Sequence, residues 1–323
     1  MTSPLISVCM PCFNAEAHVA TALDSVLAQT WSQIEIIAVN DGSTDRTGEI
    51  LESYRALGVH VLHQQNKGQC SAANNAFAQA KGELIKFFDA DDILAPDMIE
   101  LQVASLSGRH DAIAMGEWAR FYSEPSEAEF QPLPMYRNAE PSEWLTAEWS
   151  HGEPMMQCAL WLIPRNLIEQ ADGWDERLSL INDFEFFTRL LLKAQEIVYA
   201  RDARLYYRSG IEGSLSGQKS RKAVESQFLS LTLGVGHLLK CEDNPRTRRA
   251  CANILKAFDY EHYPHHPDLR AKICARVAEL GGADIEPSGP PGFQKLRPWV
   301  GWKAARRAQR AAERIGINAS GRC

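Results

Sequence analysis

The chain is 323 residues long (36.1 kDa), with 45% hydrophobic and 23% charged residues; that balance excludes a disordered or fibrous chain and allows one large domain or two modest ones. Its 34 Lys and Arg against 41 Asp and Glu leave a formal charge of −7, which excludes a protein devoted throughout to nucleic acid, so no nucleic-acid partner is expected. The charge is unevenly spread: residues 293–323 carry eight basic side chains and one acid, hence +7, while residues 1–292 carry −14.

The N-terminal MTSPLISV has no basic stretch before its short apolar run, so it reads as a first strand and not as a secretory leader. No stretch approaches the roughly 18 uninterrupted apolar residues of a membrane-spanning helix. The eight cysteines are scattered, as expected of reduced thiols in a cytoplasmic protein. Cys9 and Cys12 have redox-motif spacing, but Met10 and Pro11 between them lie at a strand end, so no redox role is expected. Four apolar runs rich in β-branched and aromatic residues follow one another: Leu5–Met10, Ile34–Asn40, Val59–His63 and Leu84–Phe88. Between them lie helical stretches at Val19–Gln29, Thr44–Leu57 and Ser71–Ala80, with another after Pro96. Strand, helix and strand at this spacing predict βαβ units, a parallel sheet and an α/β fold.

In an open parallel sheet, ligands bind beyond the carboxyl ends of the strands. The first strand ends in Pro11-Cys12-Phe13-Asn14, the second in Asn40-Asp41-Gly42-Ser43-Thr44-Asp45. After the third come Asn66, Lys67, Gly68 and Gln69, leading into Ser71 and Asn75; the fourth ends in Asp89-Ala90-Asp91-Asp92. Turn and capping chemistry accounts for Gly42, Ser43 and Gly68, but not for three aspartates in four positions. Carboxylates crowded at the end of a buried strand repel and are costly to ionise. A hard divalent cation, Mg²⁺ or Mn²⁺, offsets that cost and prefers such oxygen ligands.

The run ISVCMPCFNAEAHVATALDSVLAQTWSQIEIIAVNDGSTDRT, followed by NKGQCSAANNA and GELIKFFDADD, resembles the family 2 glycosyltransferases with the GT-A fold. The resemblance is dense from residue 5 to about 105 and thinner to about 216. It implies a mostly parallel central sheet flanked by helices and an inverting transfer of a sugar, of the hexosyl or N-acetylhexosaminyl class, from a nucleoside diphosphate. UDP-sugar is the expected donor. A saccharide or lipid-linked glycan is the expected acceptor, as in polysaccharide biosynthesis. Pro11 and Phe13 match the segment that cradles the base, with Asn14 and Glu16 beside it. Asp41 matches the acid that recognises the base, with Asp45 in the same loop. Lys67, Gly68, Ser71 and Asn75 match the segment near the ribose and phosphates. Asp89 and Asp91 match the metal and donor motif, with Asp91 as the direct metal ligand.

Inversion by direct displacement needs a base for the acceptor hydroxyl. The resembling family takes it from a Glu-Asp pair downstream of a Gly-x-Phe-Asp-Glu-like segment. Gly173-Trp174-Asp175-Glu176 matches the segment, and Asn182-Asp183-Phe184-Glu185 stands where the pair belongs. Asp183 is then the base, Asn182 replaces the usual Glu, and Glu185 is the neighbouring alternative. The structural reading of Asp183 is a carboxylate favoured by the start of a helix. Arg189 is expected in a structural salt bridge. Trp161 and Trp174 are candidate acceptor platforms, with a place in the core as the alternative that each taken alone favours; Gln157 and His151 are candidate acceptor contacts. Tyr206-Tyr207-Arg208-Ser209 and Gly213-Ser214-Leu215-Ser216 resemble a segment that closes over the donor, with Arg208 on the diphosphate. Two other readings stay open at this level: an inactive nucleotide-sugar binder, and a nucleotidyltransferase on a related sheet.

The expected organisation is a donor half (1–110), an acceptor and catalytic half (111–219), a helical extension (220–286), and a Pro/Gly linker with a basic tail (287–323). Helices are expected at Val224–Leu239, Arg246–Phe258 and Leu269–Leu280. His262, His265 and His266 lie among prolines without ligand spacing and read as a solvated loop. On a helical wheel, Lys303, Arg306, Arg307, Arg310 and Arg314 fall opposite Ala304, Ala305, Ala308, Ala311, Ala312 and Ile315. Trp299 and Trp302 stand at the start. The tail either meets an anionic membrane surface, making the protein peripheral there, or lays its alanine face on the acidic body.

Overall fold

The computed structural model describes residues 3–211 and 219–314. The strands are β1 (Ile6–Cys12), β2 (Ile34–Asp41), β3 (His60–Gln64), β4 (Leu84–Phe87), β5 (Ile93–Leu94), β6 (Ala112–Phe121), β7 (Trp161–Pro164) and β8 (Glu196–Arg208). They form one sheet in the order β3-β2-β1-β4-β7-β6-β8-β5. The first four run parallel, Ile6 facing both Ile34 and Leu84. β7 then reverses the direction, and β6 and β8 are again parallel to each other. The fold is the expected α/β arrangement with a mostly parallel sheet. β1 has partners on both edges, and Ile6, Val8, Cys9 and Met10 are fully buried. That is why its sequence is apolar almost throughout and does not alternate.

The helices near the sheet carry the matching faces. In α1 (Val19–Leu27), Val19, Ala22, Leu23 and Val26 are buried, the spacing of one helix face. In α3 (Gln69–Gln79), the buried residues Cys70, Ser71, Ala72, Ala73 and Ala76 are all small. The single helix expected at Thr44–Leu57 is α2 (Thr47–Ser53) followed by a 3₁₀ turn, Tyr54–Leu57. Further helices are α4 (Met98–Leu106), α5 (Pro141–Trp149), α6 (Arg165–Gln170), α7 (Asn182–Leu191), α8 (Arg221–Cys241), α9 (Pro245–His262), α10 (Pro267–Glu279) and α11 (Pro291–Arg314). The seven described cysteines are free. Burial pushes the Cys9 and Cys12 thiols up, the opposite of what a redox pair requires.

The chain divides into two compact units, residues 1–145 with 156–241, and residues 146–155 with 242–323. In the second, the Asn253 amide donates to the Ser150 carbonyl at 2.6 Å and to Asp284 at 2.7 Å. His151 belongs to this unit, 3.6 Å from Glu148. α11 breaks at Gly301 (φ 75°), and the break resets the helical phase. Phe293 and Ala305 are buried, and Trp302 packs edge-on to Tyr260 and Tyr263 at 4.9 and 5.0 Å. Arg306 lies 4.4 Å from the Phe293 ring centre and donates to the Ser288 carbonyl at 2.6 Å; Arg310 donates to the Glu261 carbonyl at 2.9 Å. Ala304, Ala308 and Ala311 are exposed. The wheel expectation of an alanine face turned inward is therefore corrected: Ala305 turns inward together with the stem of Arg306, which has more apolar area to bury, while Lys303 and Arg307 are exposed with those three alanines.

Candidate active site

The loops after β1, β2 and β3 are tied together by side chains that cap one another's main chain. Asn14 (φ 47°) accepts from the Thr44 N–H at 2.8 Å, while the Asn14 N–H donates to Ser43 Oγ at 3.0 Å. Glu16 accepts from the Arg46 N–H at 2.9 Å, and Asp45 accepts from the Glu16 and Thr47 N–H groups at 3.1 and 3.0 Å. Although burial pushes the Asp45 carboxyl up, the bonds from Thr47 and Glu16 hold it below its ordinary value. Gly42 (φ +70°) must be glycine, because a Cβ there lies 2.7 Å from the Asn66 nitrogen. Asp41 is buried and accepts from Gln64 Nε2 and from the Lys67 and Gly68 N–H groups at 2.8, 2.9 and 2.8 Å. A carboxylate has about four lone-pair directions, so one is left for a donor outside the loop. Pro11, opposite Val39 in the β1–β2 register, is half-buried, Lys67 is exposed and the Phe13 ring is 49% exposed. Asn75 donates to Gln64 at 2.8 Å, and Ser71 is buried on α3.

At the end of β4, the carboxylates of Asp89, Asp91 and Asp92 lie within 4.8 Å of one another. Gln157 spans two of them: its Nε2 donates to Asp92 at 2.6 Å and to Asp89 at 3.3 Å, while its Oε1 accepts from the Ala159 N–H at 2.6 Å. Asp92 also accepts from the Arg208 N–H at 2.8 Å. The Arg208 guanidinium donates to the Asp91 carbonyl at 2.8 Å and lies 4.4 Å from the Phe121 ring centre. It thus neutralises no carboxylate directly, and among the described residues no salt bridge reaches the three acids. Burial, and for two of them repulsion by the neighbouring acids, sets their titration. Burial raises Asp89; burial and Asp89 push Asp91 up to about 7; burial, then Asp91 and Asp89, raise Asp92 well above the carboxylate range. Among the described residues, Asp91 alone of the three has no side-chain donor, taking only its own N–H.

α7 brings the second half of the site to this cluster. Asp183 Oδ1 is buried and takes no hydrogen bond among the described residues. Burial, then the nearby charge of Asp89, raise its carboxyl well above the ordinary range. Glu185 is committed elsewhere: Arg189 donates to it at 2.7 and 2.9 Å, and His237 lies 3.0 Å away. Burial pushes Glu185 up, but these partners win and hold it below its usual value. The pairing with Glu185 is the structural salt bridge expected of Arg189, which also donates to the Gly173 carbonyl at 2.8 Å. Asn182 donates to Gln69 Oε1 at 3.0 Å, and Gln69 Nε2 donates to Asp89 at 2.8 Å. The neutral amide in place of Glu therefore orients Gln69 toward the acid cluster.

Asn74 exchanges two hydrogen bonds with the main chain of Trp174, at 2.8 and 2.9 Å, and clamps that segment to α3. Gly173 (φ +64°) is required, since a Cβ lies 2.8 Å from Asn74 Oδ1. Asn74 was not singled out in the sequence, although it adjoins Asn75, and Gln69 was placed after the third strand without a role. Trp161 is fully buried, stacked on Phe187 at 5.6 Å; Trp174 is buried and stacked on Phe186 at 4.0 Å. An acceptor platform needs an exposed ring face, which neither has, so both are core residues. Gln157, read as an acceptor contact, is instead bonded within the acid cluster. The Gly213–Ser216 segment lies outside the described residues.

Beneath the site, Lys86 is fully buried and donates to Gln102 at 2.8 Å and to the carbonyls of Ala159 and Trp161 at 2.7 and 3.3 Å. Gln102 donates to the Leu160 carbonyl at 2.8 Å. The pair thus holds the turn that carries Gln157. Burial lowers the Lys86 ammonium to about 7. An unfolded lysine titrates near about 10.4, so between those values the unfolded chain binds more protons and stability rises with pH. Wild type is therefore expected to gain on Lys86→Met by up to about 1.4 kcal/mol per pH unit above neutrality. Urea unfolding of both at pH 7, 8 and 9 reads this; a constant difference contradicts it.

The strand order, the flanking helices and the acid loop define a GT-A glycosyltransferase fold. A family model, Glycosyl transferase family 2, matches residues 7–171, and the chain belongs to that family. It is 32% identical over 216 residues to the uncharacterized glycosyltransferase EpsJ of Bacillus subtilis (strain 168), covering 64% of this chain and 61% of EpsJ. It is 38% identical over 122 residues to glycosyltransferase GlyG of Streptococcus pneumoniae serotype 4 (strain ATCC BAA-334 / TIGR4), covering 37% of this chain and 40% of GlyG. The chain thus spans less than two thirds of these curated relatives. Among solved structures, S. aureus TarS 1-349 in complex with UDP-GlcNAc is similar over 97% of this chain and 92% of that one, with a TM-score of 0.67 and 18% identity. The mannosyltransferase PcManGT from Pyrobaculum calidifontis, in complex with GDP-Man and Mn²⁺, covers 97% and 87%, with a TM-score of 0.52 and 17% identity. Among the described residues no helix is long and apolar enough to cross a membrane.

Proposed function

We propose that this chain is an inverting glycosyltransferase that moves a hexosyl or N-acetylhexosaminyl group from a UDP-sugar to a hydroxyl of a saccharide or lipid-linked glycan, on the cytoplasmic side of a membrane and in the assembly of a polysaccharide. The observation that carries the reading is Asp183, a buried carboxylate oxygen without a partner in the field of the Asp89 cluster. The acceptor oxygen attacks the anomeric carbon on the face opposite the leaving group, and its proton passes to Asp183. The bond from the anomeric carbon to the diphosphate oxygen breaks, and nucleoside diphosphate leaves. A raised carboxyl pKa suits this task, because a base works best when its pKa approaches the working pH.

The cluster fits a divalent cation: three carboxylates within 4.8 Å, raised by burial and, for Asp91 and Asp92, by neighbouring acids, with no cationic side chain bonded to them among the described residues. Asp91 and Asp89 would hold Mg²⁺ or Mn²⁺, while Asp92 is kept in place by Gln157 and the Arg208 N–H. When bound, the ion supplies Lewis-acid stabilisation of the charge developing on the departing diphosphate. Phe13 and Pro11 would flank the base and the free lone pair of Asp41 would read it. Asp45 and Glu16 fix the surrounding loops, and Lys67, Gly68, Ser71 and Asn75 stand along the path to the phosphates. Arg208 holds the acid loop by its carbonyl. The UDP-GlcNAc bound to TarS and the GDP-Man and Mn²⁺ bound to PcManGT support a nucleotide-sugar donor and a metal.

A thermal-shift screen of UDP- and GDP-sugars with and without Mn²⁺ tests the reading. Stabilisation by a UDP-sugar that requires the metal is expected. Stabilisation only by nucleoside triphosphates, or by no nucleotide sugar, overturns it.

A further inference from the structure

Of the eight large hydrophobic residues exposed among the described residues, three stand within five successive positions: Leu296 (44% exposed), Trp299 (87%) and Val300 (52%). Their spacing, i, i+3 and i+4, places them on one face of the first half of α11. The opposite side is anchored: Phe293 is buried, and Arg297 donates to Glu286 and to the Pro287 carbonyl at 2.7 and 3.1 Å. The apolar stripe is thus held outward by the packing of its own helix. Exposed basic side chains flank it, Lys295 on one side and Lys303 and Arg307 beyond the Gly301 break. None of the three has a carboxylate partner in the described salt bridges, whereas Arg297 and Arg310 do.

We infer that this patch, Leu296, Trp299 and Val300 with Lys295, Lys303 and Arg307, docks the chain on an anionic lipid surface. Two properties select that occupant. An indole at the rim of an apolar stripe suits the headgroup region, where its ring is buried and its N–H stays hydrated. Three exposed cations without a carboxylate partner near a small apolar area, Lys303 and Arg307 lying over the Trp302 and Tyr263 rings at 5.7 and 5.4 Å, match a negatively charged membrane, which each basic residue favours by a short-range attraction that salt screens. Residues 1–292 carry −14 and residues 293–323 carry +7, so the net charge that complements such a surface lies in the tail. The alanines of the second half of α11 contribute little area. Three larger side chains, with electrostatic help, give reversible attachment and not insertion. The inference stands apart from the donor chemistry.

The test uses the full chain in co-sedimentation with vesicles of phosphatidylcholine alone or mixed with anionic phosphatidylglycerol. Binding to the anionic vesicles only is expected, lost at high salt, and weakened at least about tenfold by Trp299→Ser with Leu296→Ser. Lys295→Glu with Lys303→Glu should abolish it by a different route. Because all four side chains are exposed, circular dichroism and the nucleotide-sugar thermal shift should match wild type, which separates lost docking from lost folding or donor binding. Absence of wild-type binding to anionic vesicles overturns the inference, as does binding unchanged in both variants. Self-association of the free protein that Trp299→Ser abolishes would assign the patch to a second copy instead.

Discussion

Asp183→Asn is expected to lower sugar transfer by about 10²–10⁴-fold while leaving donor binding intact. The substitution keeps shape and volume, and Asp183 Oδ1 has no hydrogen bond to lose. What it removes is the only carboxylate of α7 that is free to take a proton, since Glu185 is held by Arg189 and His237. Stability should not fall and can rise, because a buried ionisable group repelled by Asp89 is replaced by a neutral one. Steady-state kinetics should show the loss in kcat with little change in donor KM, the pattern of an interaction made only in the transition state. A variant that keeps more than about a tenth of wild-type turnover would move the base elsewhere.

A loss of at least about 100-fold is expected for Asp91→Asn, this time together with the metal dependence of donor binding. Asp91 presents the least encumbered carboxylate of the cluster, because Asp89 accepts from Gln69 and Gln157 and Asp92 from Gln157 and the Arg208 N–H. Removing its charge should also relieve Asp92, whose carboxyl Asp91 helps to raise. Titration calorimetry of UDP with and without Mn²⁺ separates the two effects: wild type should bind UDP more tightly with the metal, the variant equally with or without it. Asp92→Asn provides the contrast. It unbalances the Gln157 and Arg208 contacts and should lower the melting temperature more than it lowers metal affinity. If Asp91→Asn retained a full metal response, the ion would be held by other groups.

The parallel half of the fold was legible because β1 to β4 are short, apolar and separated by amphipathic helices, and because the chemistry stands directly after each strand. Asp41, Lys67, Gly68, Asp89 and Asp91 could be named from that pattern. β6 and β8 escaped it. β8 carries Arg201, Asp202 and Arg204 within a 13-residue strand, and Glu117, beside the irregularity in β6, accepts from the Asp202 N–H at 3.0 Å and from the Tyr199 hydroxyl. Such a mixture of charge and apolar residues has neither period clearly. Lys86 was hidden for the opposite reason. In LIKFF a lysine looks like a solvent position, yet β4 lies between β1 and β7 and is buried along its whole length. The roles of Gln157, Gln69 and Asn74 depend on contacts with residues 65 or more positions away, or on partners in α7 and the Trp174 segment; no local pattern encodes these. The tail misled because the wheel separates the basic from the alanine positions but does not say which side turns inward: Ala305 and Arg306 are the buried pair, one from each side.

The most direct test of the central claim is the identity of the phosphorus product formed from a stabilising UDP-sugar with Mn²⁺ and a saccharide acceptor, followed by ³¹P NMR. Release of UDP, with the transferred sugar appearing in the anomeric configuration opposite to that of the donor, is the predicted result. Release of UMP with the sugar transferred as its phosphate, or of UDP with the donor's configuration retained in the product, would contradict it.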